Sequence, residues 1–201
     1  MKTLNWTIFF VSCVLVSACS SPETNAPTGG DTSQAANALP SVDEAELADN
    51  PFRQDWQTPF GVPPFAEIED DDYMPAISKA IKELRSEISA ITAITSEPTF
   101  ENTILALELA GSPLDKVAYT FNNVTNTDSN DMLRELETQI FPLLTREFDA
   151  IVLNEVLYER VKTVYDARDE LDLDEQQARL LELTHRRFVR AGAIFAPEVK
   201  E

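Results

Sequence analysis

The chain has 201 residues, of which 43% are hydrophobic, 25% are charged and only five are glycine. This composition excludes a wholly disordered protein, and so few glycines disfavour sandwiches and barrels, which need many tight turns. Acidic residues outnumber basic residues by 35 to 16, and the net charge of −19 argues against binding to nucleic acid or to an anionic membrane surface.

The first residues have the features of an export signal. Lys2 precedes an apolar run over residues 6–16 that is too short to span a bilayer. The sequence Val16-Ser17-Ala18-Cys19 then resembles the lipobox of bacterial lipoproteins, whose cysteine is acylated and becomes the first residue of the mature protein. We predict a lipoprotein signal peptide over residues 1–18, lipid attachment at Cys19 and a location at the outer membrane, facing the periplasm. The alternative is an ordinary signal peptide with a chance cysteine.

The next segments connect this signal to a folded body. Residues 19–50 contain many small and polar residues and few large apolar ones, which predicts a disordered, flexible tether. The prolines Pro59, Pro63 and Pro64 follow, and they favour extended backbone because proline fixes φ and lacks an N–H donor. We expect aromatic side chains to anchor this proline-rich extended segment on a helical surface, namely Phe52, Trp56, Phe60 and Phe65.

The helical pattern begins at residue 73. Apolar residues at steps of four and three predict a first helix over residues 73–94. Thr99 is the expected N-cap of a second helix, which Gly111 ends in a left-handed conformation, and Ser112 starts the third. The residues expected to be buried are Ile77, Ile81, Leu84, Ile88 and Ile91, then Phe100, Ile104 and Leu107, then Leu114, Val117, Phe121 and Val124.

Three further helices complete the pattern. Asp128 or Ser129 opens the fourth, Asn154 caps the fifth, and the sixth runs from Asp174 to Gly192. Because no period-two alternation is present, the predicted fold is all-α, an antiparallel array of about six helices. The residues expected to be buried are Met132, Leu136, Ile140, Leu143 and Leu144, then Leu157, Val161, Val164 and Tyr165, then Leu181, Phe188 and Ala191.

Candidate catalytic and metal-binding residues are few. Glu182 and His185 have the spacing of half a carboxylate-bridged di-metal site, but the other half needs a second histidine and the chain has one. Hydrolytic zinc also needs about three protein ligands, and the two cysteines, Cys13 and Cys19, both lie in the targeting region. No Gly-x-Ser-x-Gly elbow or glycine-rich phosphate loop is present. We therefore predict no catalytic, cofactor-binding or metal-binding residue, and interpret His185 as a surface or core-edge residue.

Two concentrations of charge remain to be explained. An acidic run over residues 67–72 precedes the first helix, where the helix dipole favours negative charge, so capping accounts for most of it. A basic stretch lies in the sixth helix. Its arginines form a solvated face or pair with acids of the same chain; the alternative is that they face another domain or a substrate. They are Arg179, Arg186, Arg187 and Arg190.

Several blocks of the body recur in the order and spacing of a known family. They are residues 63–68 (PPFAEI), 73–76 (YMPA), 98–104 (PTFENTI) and 106–108 (ALE), followed by stretches within 160–174 and 179–193. Together these blocks resemble the amino-terminal portion of M3-family zinc metallopeptidases of the peptidyl-dipeptidase, or dipeptidyl carboxypeptidase, group. The resemblance covers about residues 50–195.

The resemblance implies an activity, and it implies that the amino-terminal helices and the zinc site lie in different parts of the enzyme. Family members are nearly all helical, and their amino-terminal helices form one wall of a deep channel that admits short peptides. They release dipeptides from the carboxyl ends of these peptides with zinc held by His-Glu-x-x-His and a downstream glutamate. That zinc motif is absent from this sequence. The expected cofactor of the full-length parent enzyme is therefore zinc, with none bound by this fragment.

Two hypotheses follow from the sequence. In the favoured one, residues 51–201 are the amino-terminal helical region of a membrane-anchored peptidyl-dipeptidase, truncated before its catalytic region and inactive alone. Pro197 supports it, because a helix beginning there would stop after one turn. The alternative is a stand-alone helical lipoprotein that acts as a binding or scaffold module.

Overall fold

A computed structural model describes residues 39–40 and 47–193 of the chain. The predicted signal peptide over residues 1–18 and the lipid attachment at Cys19 lie outside these residues. The described part contains helices and no strand, which confirms the all-α prediction. Its α-helices are α1 (Tyr73–Thr92), α2 (Ala106–Leu109), α3 (Ser112–Thr127), α4 (Asp131–Val152), α5 (Glu155–Asp166) and α6 (Glu175–Arg190).

The predicted starts of α1 and α3, at residue 73 and Ser112, agree with the structure, and so do three of the four predicted N-caps. The side chains of Asn154 and Asp174 accept hydrogen bonds from backbone N–H groups in the first turns of α5 and α6. Thr99 forms a capping box with Asn102 at the start of the π-helical turn Phe100–Leu105, which leads into α2. The fourth start was misplaced, because Asn130 caps α4 rather than Asp128 or Ser129.

The glycines expected to end helices do so. Gly111, between α2 and α3, has φ +79°, and Gly192, after α6, has φ +91°. Only glycine adopts this left-handed region without a steric penalty from Cβ. At Gly111 a second constraint applies, because an added Cβ would lie 3.1 Å from Cδ1 of Leu84. This glycine therefore allows α3 to follow α2 directly while both pack close to α1.

The core consists of two hydrophobic clusters that share bridging residues. The first cluster lies mainly among α1, α3 and α4, and the second among α5, α6 and the π-helical turn. Ile88, Ala110 and Ile151 pack against both clusters and join them. Each cluster buries the stripes that the helical periodicity predicted, with the exceptions described next.

The predicted core is wrong at two positions. Met132 is 41% exposed, whereas its neighbour Leu133 is 1% exposed and packs in the first cluster. Ala191 is also exposed, because it lies beyond the end of α6, and Ala193 is buried in its place. Both errors are shifts of one or two residues along the chain, and both occur at helix ends, where the periodic pattern is weakest.

The folded body extends before residue 51. Leu47 and Asn50, which fall in the predicted tether, are buried. The Asn50 side chain accepts a hydrogen bond from the backbone N–H of Phe52 and donates one to the carbonyl oxygen of Asp72, with N···O distances of 3.0 and 2.9 Å. It therefore ties the start of the body to the segment before α1.

The proline-rich segment is anchored by only part of its aromatic set. Phe52 is buried, and its ring lies 5.8 Å from that of Trp56 and 5.5 Å from that of Tyr73. Phe60 and Phe65 are exposed, so the expectation that they anchor the segment is wrong. The segment is also less extended than predicted, because the prolines start tight turns, including 3₁₀ turns at Pro51–Arg53 and Pro59–Gly61. None of the helices in the described residues is long and apolar enough to cross a membrane.

Candidate functional site

Glu182 and His185 lie on α6 but do not act together. One carboxylate oxygen of Glu182 accepts a hydrogen bond from Arg179, and the other lies 3.3 Å from a guanidinium nitrogen of Arg186. The His185 ring stacks on Tyr165 instead, with ring centroids 3.8 Å apart and the planes within 5° of parallel. Glu182 is thus engaged by two arginines, and His185 lies at the edge of the core.

The environment of His185 fits a packing role. Burial lowers the pKa of the imidazole, and the nearby Asp166 carboxylate partly opposes this effect. The guanidinium of Arg168 lies 4.5 Å from the centre of the Tyr165 ring, on which His185 also stacks. Within residues 39–40 and 47–193, no group of three or more histidine, cysteine or acidic side chains could hold a metal ion.

The acidic run before α1 serves mainly as local capping. Glu69 and Asp72 form a reciprocal capping box around the 3₁₀ turn Asp70–Asp72. One Asp70 carboxylate oxygen also accepts a hydrogen bond from the side-chain amide of Asn130, at 2.7 Å. The run therefore closes the turn that leads into α1 and links it to the start of α4.

The arginines of α6 mostly lie beside acids of the same chain. Arg179 and Arg186 both pair with Glu182. Arg187 interacts electrostatically with Glu108 and Asp115, and Arg190 is exposed. Three of the four arginines therefore confirm the interpretation in which the basic stretch pairs with acids of the chain.

The charged groups around Arg187 are perturbed by burial and by one another. Glu108 of α2, Asp115 and Tyr119 of α3, and Arg187 of α6 interact through their charges, and we call these four residues the charge cluster. The pKa of Asp115 is raised from 3.8 to about 6, mainly by burial and also by the nearby Glu108, while Arg187 opposes the shift. Burial likewise raises the pKa of Glu108 and lowers the pKa of Arg187. Such perturbed groups are typical of binding and catalytic surfaces.

Apolar side chains are exposed next to these charges. Leu109 follows Glu108 and is 62% exposed, and the Tyr119 ring is also exposed. Leu105 is exposed four residues before Leu109, on the same helical face. Half-buried charges of both signs beside exposed apolar groups can bind a peptide through its backbone and its side chains together. Of the charge cluster, only Arg187 was recognised from the sequence, because Glu108 and Asp115 each look like ordinary acids near a helix end.

Arg160 has a structural role that was not predicted from the sequence. It lies on α5 and is 7% exposed. Its guanidinium donates hydrogen bonds to the carbonyl oxygen of Ile94, to Oδ1 of Asn102 and to Oγ1 of Thr103, at 2.9, 2.8 and 3.1 Å. It thereby joins α5 to the turn after α1 and to the π-helical turn. Its sequence signals are its place within the helical stripe of α5 and its position in the stretch 160–174 that resembles the peptidase family.

Comparison with known proteins gives a consistent group of relatives. No protein-family model matches the chain. Dipeptidyl carboxypeptidase of Salmonella typhimurium is 36% identical over 154 residues, which are 77% of this chain and 23% of the relative. The Escherichia coli enzyme of the same name is 39% identical over 147 residues, which are 73% of this chain and 22% of the relative. Oligopeptidase A of Escherichia coli is 26% identical over 144 residues. The chain thus spans less than a quarter of the length of these relatives.

Proposed function

This chain is a homologue of M3-family peptidases over about three quarters of its length, and we propose that it is the amino-terminal part of a membrane-anchored zinc peptidase of that family. The observation that carries the proposal is the identity of 36–39% to dipeptidyl carboxypeptidases over a stretch that is less than a quarter of their length. The whole enzyme would release dipeptides from the carboxyl ends of short peptides. The lipid anchor at Cys19 would hold it at the outer membrane, facing the periplasm.

The residues present do not fit a hydrolytic zinc site. Such a site needs about three protein ligands and an open position, and the chain has one histidine. That histidine is stacked on Tyr165, and the nearby Glu182 is paired with arginines. The zinc ligands of the proposed enzyme would therefore come from residues after this part, and no catalytic step is assigned to the described residues.

We assign this part the role of a wall of the substrate channel. The charge cluster and the adjacent Leu109 and Tyr119 support this role, because an unfolded peptide offers both polar backbone and apolar side chains. The cluster contains two carboxylates and one guanidinium, so it can bind either end of a dipolar ligand. Substrate would thus contact this wall without any group of the wall entering the chemistry.

The reading frame after the codon for Glu201 tests the proposal most directly. We expect an open frame that continues to a His-Glu-x-x-His motif. We also expect the 201-residue chain to bind no stoichiometric zinc and to release no dipeptides, whereas the product of the longer frame does both. A stop codon directly after Glu201 in an intact gene would favour the stand-alone lipoprotein, and zinc-dependent dipeptide release by the 201-residue chain would refute the proposal.

The wall role has its own test in the longer product. We expect Leu109→Ala and Tyr119→Ala each to raise KM about three- to tenfold with little change in kcat, because such contacts contribute to binding before and during the reaction alike. Met132→Ala removes an exposed apolar side chain of α4 and is the matched control, for which KM should not change. An unchanged KM in both wall variants would place the substrate elsewhere.

A further inference from the structure

A short loop before α1 presents apolar side chains to solvent. It spans residues 58–66, and we call it the Phe60 loop. Phe60 is 104% exposed, so its ring has no packing partner in the described chain. Val62 and Phe65 are 48% and 46% exposed. Three large apolar groups within six residues form an exposed patch of the kind that marks an interaction site.

The backbone of the Phe60 loop holds Phe60 in a strained conformation. Phe60 has φ +62° and ψ +12°, a left-handed conformation that favours glycine or asparagine and is unusual for a bulky residue. It occupies the position after Pro59 in a turn closed by the N–H of Gly61 and the carbonyl oxygen of Thr58, at 3.0 Å. Strain of this type persists where the surrounding structure enforces it and is concentrated at functional sites.

The rest of the Phe60 loop is held in place by its own hydrogen bonds. The Thr58 hydroxyl donates to the carbonyl oxygen of Val62, across the base of the turn. The N–H of Phe65 donates to the carbonyl oxygen of Pro63 at 2.8 Å, and the N–H of Glu67 donates to that of Pro64 at 2.8 Å. A loop that is ordered before it binds loses little conformational entropy on binding. The Phe60 ring is therefore presented as a preorganised anchor.

The loop is part of the stretch shared with much longer proteins. A match of 154 residues in a chain of 201 must include residues 48–154 wherever it begins, and the relative concerned is more than four times as long as the matched stretch. The Phe60 loop thus belongs to the part of the chain that, in the proposed enzyme, is joined to a far larger remainder. That remainder is the occupant to which the length of the relatives points.

The charges around the loop disfavour an anionic lipid surface as the occupant. The acidic run that follows contains Glu67, Glu69 and the aspartates Asp70–Asp72, all within a few residues of Phe65. Anionic lipid would be repelled by this run, whereas a protein surface with basic side chains around an apolar pocket would complement it. The same acids make contact between two copies of the loop unfavourable.

We propose that the Phe60 loop is a docking element that inserts Phe60, flanked by Val62 and Phe65, into a basic-rimmed apolar pocket on the part of the peptidase encoded after Glu201. This inference rests on the proposed function and adds to it a specific contact between the two parts of the enzyme. Exposed rings that fill a pocket usually dominate such contacts. On this proposal, the strained backbone at Phe60 serves docking and does not stabilise the amino-terminal part.

The test uses the full-length product of the longer reading frame with a specific protease site inserted after Glu201. After cleavage, the two parts of the unmodified protein should remain together in gel filtration. Phe60→Asn suits the left-handed backbone but removes the ring, and we expect it to weaken the association of the two parts roughly tenfold or more. Phe60→Tyr should restore the association. Leu171→Asn removes an exposed apolar side chain distant in sequence and is the matched control, with no expected effect.

Folding is checked in the 201-residue chain, where Phe60→Asn should leave the thermal midpoint unchanged or raise it, because it relieves strain and exposes nothing new. Parts that associate equally well with and without the Phe60 ring would overturn the docking proposal and leave the proposed function standing. A gene without an open reading frame after the codon for Glu201 would refute both the docking proposal and the proposed function. If Phe60→Asn instead abolished dimerisation, or binding to phosphatidylethanolamine–phosphatidylglycerol vesicles, while the two parts stayed together, the proposal would also be wrong.

Discussion

Arg160 and Asp115 are both charged residues whose surroundings are partly or fully closed to water. Two nitrogens of the Arg160 guanidinium donate to oxygen acceptors from three residues of the neighbouring turns, whereas its buried Nε has no hydrogen-bond partner in the described part of the chain. Asp115 shares a half-buried space with one acid and one arginine, so its charge is less well compensated. Removing a charge from water has a cost at both residues. At Arg160 hydrogen bonds offset this cost, whereas at Asp115 the cost appears as a raised pKa.

Replacing Arg160 with lysine should lower the free energy of unfolding by about 2–4 kcal/mol, because lysine keeps the charge but cannot reproduce the planar set of donors. Urea denaturation followed by circular dichroism measures this loss. Arg134→Lys is the matched control, because Arg134 pairs with Asp131 at the surface, and a change within about 0.5 kcal/mol is expected there. Equal effects of the two substitutions would mean that the Arg160 hydrogen bonds contribute little.

Asp115 should make the folded protein less stable as pH rises. Its pKa in the folded state, about 6, lies above the ordinary value of 3.8, so the folded state binds the proton more tightly than the unfolded state. This contribution to stability is complete below pH 3.8 and is lost as pH rises to about 6. Because Asp115 is only half-buried, solvent screening limits the effect to about 1 kcal/mol.

Asp115→Asn removes this titration. Between pH 4 and pH 7 the unmodified protein loses the contribution of Asp115, whereas the variant has none to lose. We therefore expect the change in the free energy of unfolding from pH 4 to pH 7 to be about 1 kcal/mol more favourable in the variant. Denaturant titrations at the two pH values measure it. An identical pH dependence in both proteins would show that the carboxyl titrates normally.

Several helix ends could be predicted from single residues of this chain. Asn154, Asp174 and Gly111 were identified from their residue types, because the geometry of a cap is decided within a few residues of sequence. The π-helical turn before α2 was not predicted, since the sequence PTFENTIL also fits an α-helix. Its wider turn coincides with Asn102 and Thr103, the side chains that accept from Arg160, and such a contact between distant segments leaves no local pattern.

Gly111 and Gly61 differ in why glycine is favoured. At Gly61 only the positive φ favours glycine, whereas at Gly111 a side chain would also contact a neighbouring residue. Both have positive φ, at +79° and +67°, but an added Cβ meets Leu84 at Gly111 and nothing within 4 Å at Gly61. We expect Gly111→Ala to lower the free energy of unfolding by about 2–3 kcal/mol and Gly61→Ala by about 1 kcal/mol. Thermal and urea denaturation compare the two. A larger loss at Gly61 would contradict the contact with Leu84 as the cause.

At the scale of the whole molecule, the helical periodicity was sufficient to predict the fold class and most of the core. It could not predict how the helices are arranged, and hence which surface charges meet. Glu108, Asp115 and Arg187 are up to 79 residues apart in sequence and interact only because α2, α3 and α6 converge. The similarity to dipeptidyl carboxypeptidases could be anticipated from the sequence, because blocks such as residues 98–104 resemble that group. The charge cluster itself required the structure.

The isolated 201-residue chain should expose more apolar surface than a typical monomer. Phe60, Val62 and Phe65 lie in one loop, and Leu105 and Leu109 lie on one helical face. We expect blue-shifted, enhanced fluorescence of the uncharged dye Nile red, which the net charge of −19 does not repel. Phe60→Asn should lower the signal. A monodisperse monomer that unfolds cooperatively and binds no dye would contradict this expectation.

The two clusters joined by Ile88, Ala110 and Ile151 also bear on the order of events during biosynthesis. Among the described residues, the helices that form both clusters follow one another through short connections. Contacts that are local along the chain favour rapid folding, and domains made first generally fold first. The described helices can therefore pack their interior as soon as they have been synthesised. Any later portion of the polypeptide would then fold against helices that are already packed.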